Sequence, residues 1–148
     1  MVTVRQIDPS EAQELIEELD AYQSSLYPAE SNHLDSIDDL RKPNVCMIAL
    51  FEQELPVAIG AIKVFDDYGE IKRVYVTRKH RGKGYAKIIM AELEQRLAAL
   101  SIAIARLETG IKQHEAILLY RRYGYAPRNA FGAYSEDPLS LFLEKKLD

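Results

Sequence analysis

With a single cysteine, Cys46, this chain can form no intrachain disulfide, so its stability must come from a packed core. Cys46 itself sits in the apolar run Val45–Phe51 and reads as a core residue in a protein of the reducing cytoplasm. No apolar stretch is long enough to span a membrane, and the opening residues lack the pattern of a signal peptide. Surplus basic charge is missing too: a net charge of −4 argues against a general nucleic-acid partner. His33, His80 and His114 have no metal-ligand spacing, so no metal is expected. His114-Glu115 does not continue into H-E-x-x-H, because position 118 is Leu118. There is no G-x-S-x-G elbow, internal repeat or low-complexity segment.

What is present is the composition of an ordinary globular protein, 47% hydrophobic and 28% charged over 148 residues, which suits one domain spanning 1–148. Val2–Ile7 alternates as a strand. Asp8-Pro9-Ser10 opens a helix, with Ser10 and Gln13 at capping-box spacing and Ala12, Leu15, Ile16, Leu19, Tyr22 and Leu26 on one face. Ser36–Lys42 reads as a short second helix. Val45–Phe51, Pro56–Phe65 and Glu70–Thr77 are three consecutive strands, followed by a helix over Tyr85–Leu100 and a strand over Ile104–Thr109. Gln113–Tyr123 is a helix closed by Gly124, and Tyr125–Arg128 and Leu139–Lys145 are final strands around an irregular loop. The order predicts an α/β fold, a mixed, mostly antiparallel sheet of about seven strands with about four helices on its two faces.

The most informative stretch runs from Glu70 to Leu93: strand, basic glycine turn, amphipathic helix. A helix N-terminus presents unpaired N–H groups and the positive end of a dipole, and glycines let a phosphate approach the main chain. Arg73, Arg78, Lys79, His80, Arg81, Lys83 and Lys87 form a basic island in an acidic chain, which suits an anionic ligand. The turn is not a Walker A loop, and Lys87 stands where a dinucleotide fingerprint needs glycine. What remains is Arg81-x-x-Gly84-x-Ala86.

Here the sequence resembles the GCN5-related N-acetyltransferase (GNAT) family, whose signature is Q/R-x-x-G-x-G/A between the fourth strand and third helix. Val74-Tyr75-Val76 before the loop, and Ala116-x-x-Leu119-Tyr120-x-x-x-Gly124-Tyr125 after it, carry the same resemblance, as does the element order along essentially the whole chain. It implies acetyl-CoA as cosubstrate and direct acetyl transfer to a primary amine, of a small molecule, in a ternary complex. By it, the backbone amides from Gly82 to Ala86, with Gly84 and Tyr85 between them, hold the pyrophosphate while Arg81 and Lys83 add charge. Val74, Tyr75 and Val76 pair with the pantetheine arm through main chain. Where the family often has asparagine, contacting the cofactor, this chain has Gln113, which keeps the amide and adds a methylene. A homodimer through late strands is an allowed assembly.

The resemblance aligns Tyr120 with a tyrosine near the cofactor sulfur, where a phenol of pKa ~10 can protonate a thiolate. Glu70, at the start of the fourth strand, is a candidate base for the amine, with Glu108 and Glu30 as further carboxylates. Tyr27, Glu30, Tyr68, Glu108, Phe131 and Tyr134 are expected around the acceptor. Two alternatives stay open: another acyl-CoA as donor, and a CoA-binding regulatory module without turnover. A third is a basic turn that accepts any polyanion.

Overall fold

The apolar runs Val45–Glu52 (β2) and Leu55–Val64 (β3) are continuous rather than alternating because the sheet they form is covered on both faces. Met47, Ala49 and Phe51 pack against Leu15, Ile16 and Leu19 of Gln13–Leu26 (α1). Their neighbours Ile48 and Leu50 belong to the opposite layer, with Ile89, Leu93 and Leu97 of Tyr85–Ala99 (α3). The computed structural model describes Met1–Leu147; Asp148, the last residue of the expected domain, lies outside the described residues.

The remaining elements are Val2–Ile7 (β1), Ile37–Leu40 (α2), Gly69–Val76 (β4), Ile104–Gly110 (β5), His114–Arg122 (α4), Ala126–Arg128 (β6) and Ser140–Lys146 (β7). The seven strands are ordered β1-β2-β3-β4-β5-β7-β6. Every pairing among the described residues is antiparallel except β4 with β5. This is the mixed α/β fold with seven strands and four helices that the element order predicts.

Local detail differs from the sequence reading at three points. The capping box at the first helix is Asp8 with Glu11, not Ser10 with Gln13, and it caps a 3-10 turn over Pro9–Ala12 before α1 begins. Pro9 explains the shift: the residue before a proline is pushed to extended backbone, which is the cap conformation Asp8 adopts. The Asp8 carboxylate also binds Arg41 at 2.8 Å and lies well below the usual carboxylate range, through Arg41 first and Ser10 second. The second helix is a single turn, Ile37–Leu40, capped by Ser36 and Asp39. The sixth strand shrinks to three residues, with Pro127 on the outermost strand, where a missing N–H costs least.

Helix α3 sits directly on the sheet. A Cβ on Gly60 would meet Ile89 Cγ2 at 2.6 Å and Leu93 Cδ1 at 2.9 Å, and one on Gly69 would run into Leu97. Leu93 is wholly buried. Leu93→Ala is therefore expected to cost about 2–5 kcal/mol, read by urea unfolding.

Candidate active site

The site originates in a pairing that stops early. β4 and β5 pair only at Gly69–Ala105, Glu70–Arg106 and Ile71–Leu107, although both strands continue. The cause lies two residues on, at Arg73, which has φ of +57° in mid-strand, opposite a register shift between Ile59 and Ala61 of β3. Such a bulge bends the strand and raises its twist, so Val74–Val76 swing away from Glu108–Gly110. The Arg73 guanidinium is buried between α1 and the following loop. It binds the Asp20 carboxylate and donates to the Asp35 carbonyl at 3.2 Å, while Nε and Nη1 are sealed from solvent without partners.

One mouth of this opening is a cleft of about 580 Å³. Val74, Tyr75, Val76, Arg81, Gly82, Gly84, Tyr85, Ala86, Gln113 and Tyr120 all line it, so ten of the eleven residues expected at the cosubstrate come together. Gly82 and Gly84 have φ of +83° and +81°, and a Cβ on either would meet no atom within 4 Å. Gly84 is the N-cap of α3, whose first-turn amides have no carbonyl partner by helix geometry. An open, glycine-shaped ring of donors at a positive helix end fits a diphosphate. Lys83 is the exception. It turns away to Glu52, Nζ to Oε2 at 3.0 Å. Arg81 is half-committed, its Nε donating to the Val76 carbonyl at 3.0 Å. Tyr75 gives the cleft its backbone; its ring packs against α1, and burial and Glu18 push its hydroxyl up to about 12. Gln113 folds its amide oxygen back onto Gly110, whose N–H donates to it at 3.0 Å, which absorbs the extra methylene.

The other mouth is a depression of about 560 Å³, lined among others by Glu30, His33, Tyr68, Glu70 and Tyr134. Phe131 packs beneath it with Tyr68 and Phe142. Glu70 is buried and engaged through Oε2, which accepts from Tyr134 Oη and lies 3.3 Å from Lys72 Nζ; Lys72 also reaches Asp35 at 3.2 Å. Burial alone would lower the Lys72 ammonium, but Glu70 and Asp35 outweigh it and hold lysine charged.

Between the two mouths lies a small polar cavity of about 50 Å³ whose walls include Tyr27, Val74, Glu108, Gln113 and Tyr120. Tyr27 therefore belongs here: its Oη accepts from Lys112 N at 3.1 Å and presses against Gly110. Burial pushes the Tyr120 hydroxyl far above the ordinary phenol value, with Glu108 adding to the shift, so it stays protonated at neutral pH. Burial likewise raises the Glu108 carboxyl, against the opposing 2.8 Å hydrogen bond from Ser140 Oγ. Glu108, and not Glu70, shares a cavity with Tyr120. Lys72, Asp35 and Ser140 went unnoticed in the sequence, and Arg73, read there as part of the basic island, is instead buried against Asp20. Only Lys72 left a signal, since residues two apart in a strand share a face and Glu70 stands two before it.

Comparison with known proteins shows the family and the fold. The model of the Acetyltransferase (GNAT) family matches residues 12–125. An IAA acetyltransferase of Azospirillum brasilense is 42% identical over 136 residues, covering 90% of this chain and 89% of that protein. The crystal structure of a Klebsiella pneumoniae protein assigned to the acyl-CoA N-acyltransferases superposes with a TM-score of 0.87 at 38% identity, covering 100% of this chain and 99% of the other. The fold recurs in the PaiA N-acetyltransferase of Thermoplasma acidophilum in complex with coenzyme A, with a TM-score of 0.77 at 16% identity and 99% of both chains covered. This chain, with its interrupted β4–β5 pairing and its glycine turn at the head of α3, belongs to the GNAT family and is an N-acetyltransferase.

Proposed function

We propose that the protein, as one domain over 1–148, transfers the acetyl group of acetyl-CoA to a primary amine of a small molecule, within a ternary complex and without a covalent enzyme intermediate. The observation that carries this is the opening between β4 and β5, with a glycine cradle at one mouth and Tyr120 and Glu108 at the junction with the other. When bound, acetyl-CoA supplies a thioester whose carbonyl carbon accepts the amine. Gly82–Ala86 bind the diphosphate through main-chain N–H groups, and the free backbone edge of Val74–Val76 orients the pantetheine arm.

Glu108 is the favoured base, ahead of Glu70. Its raised carboxyl moves toward the range where a base works well near neutrality, whereas Glu70 is held by Lys72 and Tyr134. Glu108 takes a proton from the acceptor ammonium; the neutral nitrogen then forms the C–N bond as the C–S bond breaks. Tyr120 gives its hydroxyl proton to the departing sulfur and is restored by the second proton, which the nitrogen sheds as it becomes an amide. As a buried phenol it is a weaker acid than free tyrosine, but the thiolate it serves leaves into the same desolvated space and is a stronger base there. Glu30, Tyr68, Glu70 and Tyr134 form the acceptor's outer contacts, and Tyr27 its inner wall. The relative named for a small acceptor, IAA, supports a small-molecule substrate class.

The test is steady-state kinetics of acetyl-CoA against a panel of small primary amines, with Tyr120→Phe beside the wild type. The variant is expected to lower kcat about a hundredfold with acetyl-CoA affinity unchanged. Turnover near the wild-type rate removes Tyr120 as the acid.

A further inference from the structure

Glu52, the last residue of β2, takes no part in the chemistry above, yet three side chains of the glycine turn end on it. Lys83 Nζ lies 3.0 Å from Oε2, Tyr85 Oη donates to the same oxygen, and His80 Nε2 lies 3.4 Å from Oε1. His80 is tied in turn through Nδ1 to Thr77 Oγ1, at 2.7 Å. The whole span from Thr77, at the end of the ligand-binding strand, to Tyr85, the first residue of α3, therefore closes on one carboxylate of a different strand. The Tyr85 hydroxyl first, and Lys83 second, hold that carboxyl below the ordinary glutamate range, so it is ionised at neutral pH.

The turn needs such a hold. Gly82 and Gly84 both adopt left-handed backbone, and no atom stands within 4 Å of where their Cβ would be. Glycine loses more freedom on ordering than any other residue, so an unbraced turn would have to be ordered by its ligand at the ligand's expense. Lys83 points at Glu52 and does not line the cleft, which makes it a brace before it is a phosphate contact.

We infer that Glu52 is a positioning residue for acetyl-CoA binding: its carboxylate gathers His80, Lys83 and Tyr85 behind the glycine turn and holds the amides of Gly82–Ala86 in one orientation before the ligand arrives. This rests on the reading of the cleft as the acetyl-CoA site.

The experiment is calorimetric titration of acetyl-CoA into wild type, Glu52→Gln, Glu52→Ala and the Glu52→Ala/Tyr85→Phe double variant, with hydrogen exchange of the Gly82–Ala86 amides in ligand-free protein. Glu52→Ala is expected to weaken binding about tenfold, the scale of leaving one or two side chains unordered. Glu52→Gln loses less, because its amide oxygen still accepts from Tyr85 and Lys83 and only the negative charge is gone. Tyr85→Phe adds nothing once Glu52 is gone. KM for acetyl-CoA rises while kcat at saturation stays at the wild-type value, and the turn amides exchange faster. Unchanged affinity with unchanged exchange overturns the proposal. Tighter binding in Glu52→Ala overturns it as well, since Glu52 would then only oppose the phosphates. If the folded wild type binds no acetyl-CoA, the cofactor reading itself fails, and slow amide exchange that Glu52→Ala leaves unaltered would separately remove the brace.

Discussion

Gly84→Glu is expected to weaken acetyl-CoA binding by about a hundredfold or more while leaving the protein folded. Two costs add. A side chain at a φ of +81° is in the left-handed region, which disfavours an L residue by about 1–2 kcal/mol. The new carboxylate then stands at the N-cap of α3, among the donors meant for a diphosphate, and like charge there costs a further one to two kcal/mol or so. Together these approach about 3 kcal/mol, or two powers of ten in affinity. Gly84→Ala carries the strain without the charge and should lose about tenfold, so the pair separates the two causes. Because the space above Gly84 is open, neither substitution displaces a neighbour; the strain costs affinity to the extent that the free turn relaxes out of the left-handed region, and the part the turn retains lowers stability by at most about 1–2 kcal/mol in both variants.

Glu108→Gln is expected to lower kcat/KM by about a hundredfold or more and, at the same time, to stabilise the protein at neutral pH. The raised carboxyl gives the sign of both effects. Activity depends on the ionised form, so it rises with pH through the elevated Glu108 value and then levels off; the variant loses that limb of the profile. For stability, a group whose folded pKa lies above its unfolded value contributes only below the unfolded pKa, and that contribution is lost as pH rises through the folded one. In its ionised form Glu108 is a buried charge held by Ser140 and eased by Lys72 and His33, and a neutral glutamine that still accepts from Ser140 removes the burden of burying it. The rise in Tm should be larger at pH 7 than at pH 5. Glu70→Gln offers the contrast. It leaves Asp35 as the one carboxylate paired with Lys72 and should raise KM for the acceptor more than it lowers kcat. A lower Tm with unaltered kcat in Glu108→Gln would make Glu108 structural.

The parts of this site that sequence reveals are those carried by contiguous residues. Arg81-x-x-Gly84-x-Ala86 is legible because a turn, its glycines and the helix they cap are neighbours in the chain, and Tyr120 because it sits in a helical pattern ended by Gly124. The succession of elements along the chain followed for the same reason, from runs whose lengths and turns can be read one at a time. What stayed hidden depends on contacts across the fold. Nothing local says that Arg73 takes a positive φ; that follows from the register of β3 against β4 and from Asp20 on the other face. The sequence puts Glu70 ahead of Glu108 as the base, and only the placement of Lys72 and Tyr134 beside the former and Tyr120 near the latter favours the reverse order. Lys83 looks like a phosphate ligand until Glu52, thirty-one residues upstream, is found to hold it.

The central claim is that the cleft at the head of α3 takes acetyl-CoA specifically. Calorimetric titration of the wild type with acetyl-CoA, CoA, ATP and inorganic pyrophosphate tests it without knowledge of the acceptor. The expected result is one site that binds acetyl-CoA and CoA, with ATP and pyrophosphate inert at the same concentrations, because the pantetheine edge of β4 contributes as well as the phosphate cradle. A folded protein that binds none of them, or that binds ATP and pyrophosphate as tightly as CoA, would contradict the account and leave a basic turn without a dedicated ligand.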